Sequence, residues 1–116
     1  MSGRMNSRKR QGLMDEELYE RRAAICKAFA NPVRLKILDL VGNKAYPVSE
    51  LRRRLDISEA NLSQHLAVLK GAGVIATSRT GKRVYCYVAI PEVKQACSLV
   101  CDVLRAQVRS GRRLSI

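Results

Sequence analysis

Apolar residues recur at helical spacing through most of the chain and switch to strand-like alternation in one place. From Asp15 onward the acids Asp15, Glu16 and Glu17 open a helical pattern, with Leu18, Ile25, Ala28 and Phe29 along one side, ending near Ala30. Asn31-Pro32 is a start signal, a capping side chain followed by a ring whose missing N–H costs nothing in the first turn. Val33, Ile37, Leu38 and Val41 form the stripe of this second helix, and Gly42 stops it. A short extended link passes through Tyr46 and Pro47. Ser49 then reads as the cap of a helix holding Leu51 and Leu55, which halts at Asp56-Ile57 before Ser58 caps the next. Two short helices joined by a turn of about three to four residues make a helix-turn-helix.

Beyond Gly71 and Gly73 the segment "VIATSRTGKRVYCYV" has strand-forming residues on both sides of "RTGK", the pattern of a hairpin. Val84, Cys86 and Val88 alternate with Arg83, Tyr85 and Tyr87, so one face is expected to be buried and the other cationic and aromatic. Pro91 opens a last helix running to about Arg109. Its apolar residues occupy more than one stripe, which one small core cannot cover. The first helix is similarly mixed, so a homodimer built from the two terminal helices is expected. The fold class read from these patterns is mainly α with a small β-hairpin, a winged helix-turn-helix that dimerises through its first and last helices.

The second helix of the pair, within "SEANLSQHLAVLKGAG", holds Leu62, Leu66 and Leu69 toward the core and offers Asn61, Ser63, Gln64 and His65 elsewhere. A merely solvated helix usually shows Glu and Lys there. Side chains that hydrogen-bond base edges and phosphates without repelling phosphate charge suit a helix lying in a DNA major groove. Arg79, Lys82 and Arg83 at the hairpin tip suit contact with phosphate or the minor groove.

Charge sharpens this picture. With 22 Lys and Arg against 10 Asp and Glu, the 116-residue chain carries a formal charge of +12, which points to a polyanionic partner. The organisation expected is a flexible basic arm over 1–14, one domain over 15–109 and a basic tail over 110–116. No apolar run is long enough to cross a bilayer, and the basic start is not followed by an apolar signal core, so no membrane partner and a cytoplasmic location are expected. The chain lacks a Gly-rich phosphate loop, and no Ser, His and acid set is placed for nucleophilic work, so an enzyme is not expected.

The segments "NPVRLKILDLV", "SELRRRLDISEANLSQHLAVLKGAGVI" and "RTGKRVYCYV" together resemble the ArsR/SmtB family of dimeric winged-helix repressors. The resemblance covers about residues 20 to 108, and its strongest signature is Ser58, Ser63, His65, Leu66 and Leu69 followed by Ala72-Gly73. It implies that the helix bearing Ser63 and His65 lies in the major groove of a double-stranded operator and that the hairpin is the wing. Carried over, Ser58, Asn61, Ser63, Gln64 and His65 become base and phosphate contacts, with Arg79, Lys82, Arg83 and Tyr85 on the backbone. Such DNA binding requires no cofactor.

The resemblance also implies an inducer that releases DNA. The family's arsenic site has Cys-x-Cys on the helix where this chain has "VSELRRRL", and its zinc site needs histidines where this chain has "PEVKQACSLVCDVLRAQ", so neither is present. What remains is Cys97 and Cys101, four apart and therefore on one helix face, with Cys26 on the first helix expected to pack nearby in the dimer. Three thiolates could bind As(III) or another soft metal ion as inducer. The same cysteines could instead sense oxidants or sulfane sulfur through a disulfide or polysulfide bridge. A third reading gives them no inducer at all, since free Cys packs as a small hydrophobe. Cys86, on the inward face of its strand, reads as packing.

Overall fold

The computed structural model describes residues 15–111, so the expected arm at 1–14 and most of the tail lie outside the described residues. Eight elements follow in order: α1 (Glu16–Phe29), α2 (Pro32–Val41), β1 (Tyr46–Pro47), α3 (Val48–Leu55), α4 (Glu59–Gly71), β2 (Ile75–Thr80), β3 (Arg83–Val88) and α5 (Pro91–Arg109).

Local chemistry accounts for most boundaries. Asn31 accepts hydrogen bonds through Oδ1 from the backbone N–H groups of Val33 at 2.8 Å and Arg34 at 3.1 Å, capping α2 with Pro32 in its first turn. Ser58 caps α4 by accepting from the Asn61 N–H at 3.1 Å. At the far end of α4, Gly73 takes a φ of +78°, and the N–H groups of Gly73 and Val74 donate to the carbonyls of Lys70 and Leu69. That double bond is a Schellman closure, and it satisfies carbonyls the helix leaves unpaired. The wing turns through two residues, Gly81 and Lys82, and Gly81 at φ +63° supplies the conformation a type II′ turn needs at its first position.

Two expectations are corrected. The Tyr46-Pro47 link is a strand: Tyr46 pairs with Cys86 and Pro47 with Tyr85, giving an antiparallel sheet of order β1-β3-β2 rather than a lone hairpin. Ser49 is not the cap of α3. The helix starts at Val48, directly after Pro47 in extended geometry, and no side chain caps it. Pairing of β1 with β3 fixes where the extended stretch stops, and this overrides the local capping signal. At its other end α3 is closed by Asp56, which adopts a left-handed φ of 53° and donates its N–H to the carbonyls of Arg52 and Arg53.

One core joins these elements. Ile37, Leu38 and Val41 of α2, Leu51 of α3, Leu62, Leu66 and Leu69 of α4, and Val74, Ile75 and Cys86 around the sheet are all buried. The terminal helices contribute little to it, since α1 buries only Ala28 and α5 only Val93. Leu99, Val100, Val103, Leu104 and Val108 of α5 stay exposed, as do Leu18 and Ile25 of α1. An apolar row of this extent on two helices is the kind of surface that marks a protein interface.

Candidate nucleic-acid interface

The buried residues Leu62, Leu66 and Leu69 recur at i, i+4 and i+7, which turns one side of α4 into the core. Asn61, Ser63 and Gln64 project away from that side and are exposed. Ser63 also lines a groove of about 360 Å³ bounded by α3, α4 and the wing, together with Arg52, Glu59, Lys82 and Arg83. The structure therefore brings Ser63 and the acidic Glu59 of α4 together with the cationic turn of the hairpin on one concave surface, while Asn61 and Gln64 lie outside its lining. Arg83 lies 5.8 Å from the ring centroid of Tyr85, a cation–π arrangement that places the half-buried phenol under the guanidinium. Arg79 is exposed farther down the wing, opposite Val84.

Two expected contact residues have other partners. Ser58 uses its hydroxyl oxygen as the α4 cap. His65, three residues after Leu62, flanks the core side rather than the outer face and is half-buried. Its Nδ1 lies 3.3 Å from Nη1 of Arg34.

Sequence reasoning did not single out Arg34 or Arg52. The run Arg52-Arg53-Arg54 was a visible signal, and the structure sorts it. Arg53 pairs with Glu50, Arg54 donates to the Tyr46 hydroxyl at 3.0 Å, and Arg52 is the one that lines the groove. Arg34 carried no signal, because an arginine in the first turn of an amphipathic helix looks like any solvated residue.

The cysteines are spread out. Cys26 is exposed on α1, Cys101 is exposed on α5, and Cys97 is half-buried. Cys97 and Cys101 open onto a cleft of about 170 Å³ between α2 and α5, together with Asp39. Burial, then the Asp39 carboxylate and the Cys101 thiol, push the Cys97 thiol above its ordinary range. Among the described residues no group of three His, Cys, Asp or Glu side chains is placed to hold a metal ion, so one protomer does not assemble Cys26, Cys97 and Cys101 into a site. Cys86 is wholly buried, as its place in the strand required.

A fold with a helix pair joined by a short turn, a polar exposed second helix and a cationic wing beside it defines the class of winged helix-turn-helix DNA-binding proteins. A family model described as a helix-turn-helix domain matches residues 29–78. The HTH-type transcriptional regulator Rv0081 of Mycobacterium tuberculosis is 36% identical over 98 residues, covering 84% of this chain and 85% of its own. Its crystal structure superposes with a TM-score of 0.73 at 35% identity, over 83% of this chain and 96% of that one. The transcriptional activator HlyU of Vibrio cholerae is 37% identical over 66% of this chain and 70% of its own. The homodimeric winged helix-turn-helix DNA-binding domain of Mb0332 from Mycobacterium bovis, a possible ArsR-family transcriptional regulator, superposes with a TM-score of 0.74 at 25% identity and covers 100% of both chains. The chain belongs to the ArsR family of winged helix-turn-helix transcriptional regulators. Among the described residues, no helix is long and apolar enough to cross a membrane.

Proposed function

We propose that the protein is a homodimeric repressor that holds a double-stranded operator with α4 in the major groove and the wing on the flanking backbone. The observation that carries this reading is the groove where Ser63 of α4 meets Arg52, Lys82 and Arg83. Cations at its edges suit phosphates, while the exposed amides of Asn61 and Gln64 suit base edges. Pairing of two chains through the exposed apolar rows of α1 and α5 would present two such helices to half-sites about one helical turn apart. The homodimeric Mb0332 domain, similar over its whole length, supports that arrangement.

The inducer in this reading is thiol-directed, As(III) or another soft metal ion, acting at Cys97 and Cys101 beside α2 with Cys26 supplied across the dimer. The shared cleft of the two α5 cysteines supports it. A regulator with no thiol inducer is the second reading, favoured by the raised Cys97 thiol, since the protonated form is a poor nucleophile and metal ligand.

Fluorescence anisotropy of the reduced protein on DNA from its own upstream region, against a scrambled duplex, tests the DNA reading. Selective binding supports it, and equal binding to both duplexes sinks it. Addition of arsenite to the selective complex then separates the two inducer readings. Release in the wild type and retention in a Cys97→Ser, Cys101→Ser double variant supports the thiol site; an unmoved complex in both removes it.

A further inference from the structure

Arg34 makes three contacts that join three helices. From the first turn of α2, its Nε donates to the Ala28 carbonyl at 2.8 Å and its Nη2 to the Lys27 carbonyl at 2.9 Å, both in the last turn of α1. Its Nη1 meets Nδ1 of His65 on α4 at 3.3 Å. The Lys27 carbonyl also accepts from the Ala30 N–H that closes α1 at 3.1 Å, and a cation beside these terminal carbonyls complements the helix dipole. The guanidinium is thus fixed by two bonds before it reaches the imidazole.

That fixing determines the chemistry of the ring. Arginine has donors and no acceptor, so Nδ1 of His65 must accept, and the proton of the neutral imidazole must reside on Nε2. We propose that Arg34 is a positioning residue for DNA recognition: it sets His65 as an Nε2–H donor and ties α4 to the end of α1. The proposal rests on the DNA-reading role of α4 given above. A ring held in this tautomer offers a donor that suits a phosphate oxygen, an acceptor that cannot donate in return. It also links α1, whose exposed face carries Leu18 and Ile25, to α4 through the Arg34 guanidinium of α2.

The test uses the full chain, which contains a single histidine and so yields one imidazole in a nitrogen-15 spectrum. Long-range proton–nitrogen correlation of the wild type is expected to show Nδ1 unprotonated and Nε2 protonated, and Arg34→Met is expected to give a mixture of tautomers. Affinity for the selected duplex should fall about tenfold in Arg34→Met, the size of one lost charge-assisted bond. His65→Phe removes the acceptor and leaves the two bonds to α1 in place, so it keeps the test open should Arg34→Met fold poorly. The double variant should bind no more weakly than the weaker single variant. A wild-type ring protonated on Nδ1, a tautomer unmoved by Arg34→Met, or losses that simply add in the double variant would each overturn the assignment. Wild-type protein that selects no duplex would instead sink the DNA reading, and the tautomer comparison would still decide whether Arg34 sets the ring.

Discussion

Tyr46 on β1 stands opposite Cys86 on β3, and Thr77 on β2 stands opposite Cys86 from the other side, so this thiol occupies the middle strand of the sheet. Its burial is complete, and that pushes its pKa up from 9.0 to about 11, with Lys70 pulling weakly the other way.

A pH dependence follows from Cys86. Between about 9 and 11 the folded chain keeps a proton that the unfolded chain has released, so stability is full below the lower value and is lost as pH rises through the upper one. Thermal melts across that range are expected to show a falling midpoint, and Cys86→Ala should show a shallower fall than the wild type. Parallel slopes in the two proteins would mean that the thiol does not carry the effect.

Salt dependence reports the cations of the groove. Arg52→Ala, Lys82→Ala and Arg83→Ala should each lower the slope of log affinity against log salt by about 1, with specific and random duplexes weakened alike. The check is an anisotropy titration at several salt concentrations. A variant that loses discrimination while keeping its slope would move that residue from the backbone to a base.

Asn61→Ala and Gln64→Ala have the opposite signature. Discrimination between the selected duplex and a scrambled one should drop by about 1–3 kcal/mol, with affinity for scrambled DNA unchanged. Competition binding reads both quantities at once.

Asn31→Ala removes the acceptor that closes the first turn of α2. A stability loss of about 1–2 kcal/mol is expected, measurable as a lower urea midpoint with an unchanged slope. Asn31→Asp should retain most of the cap, which separates loss of the acceptor from loss of the side chain.

The exposed row on α5 makes a prediction about assembly. Leu99 is 64% and Val103 58% exposed, and neither is needed by the core of one protomer. If α1 and α5 pair two chains as proposed, Leu99→Glu with Val103→Glu should give a monomer in sedimentation where the wild type is a dimer, without changing helix content; a wild type that sediments as a monomer would overturn the pairing. Operator affinity should fall by about a hundredfold, because two linked recognition helices are then reduced to one.

Much of the fold was legible because its signals are local. Asn31-Pro32 starts a helix, Ser58 caps one, Gly73 ends one and Gly81 turns a hairpin through the φ/ψ and hydrogen bonds of a few adjacent residues. The stripe of Leu62, Leu66 and Leu69 likewise needs only the helical period to separate a core side from a polar one. Those same signals located Asn61, Ser63, Gln64, Lys82 and Arg83 as candidates before any packing was known.

Other features depend on residues distant in sequence, whose meeting leaves no period or spacing to read. Tyr46-Pro47 becomes a strand because β3 is there to pair with it, and that pairing moves the start of α3 away from Ser49. Packing of α3 against the wing selects Arg52 from three consecutive arginines. The separation of Cys26 from Cys97 and Cys101 within one protomer, and the turn of His65 toward Arg34, follow from how helices far apart in the chain are set against one another. Local periodicity and capping chemistry set the elements and the groups they carry, because they act over a few adjacent residues; packing between distant segments chose which of those groups meet.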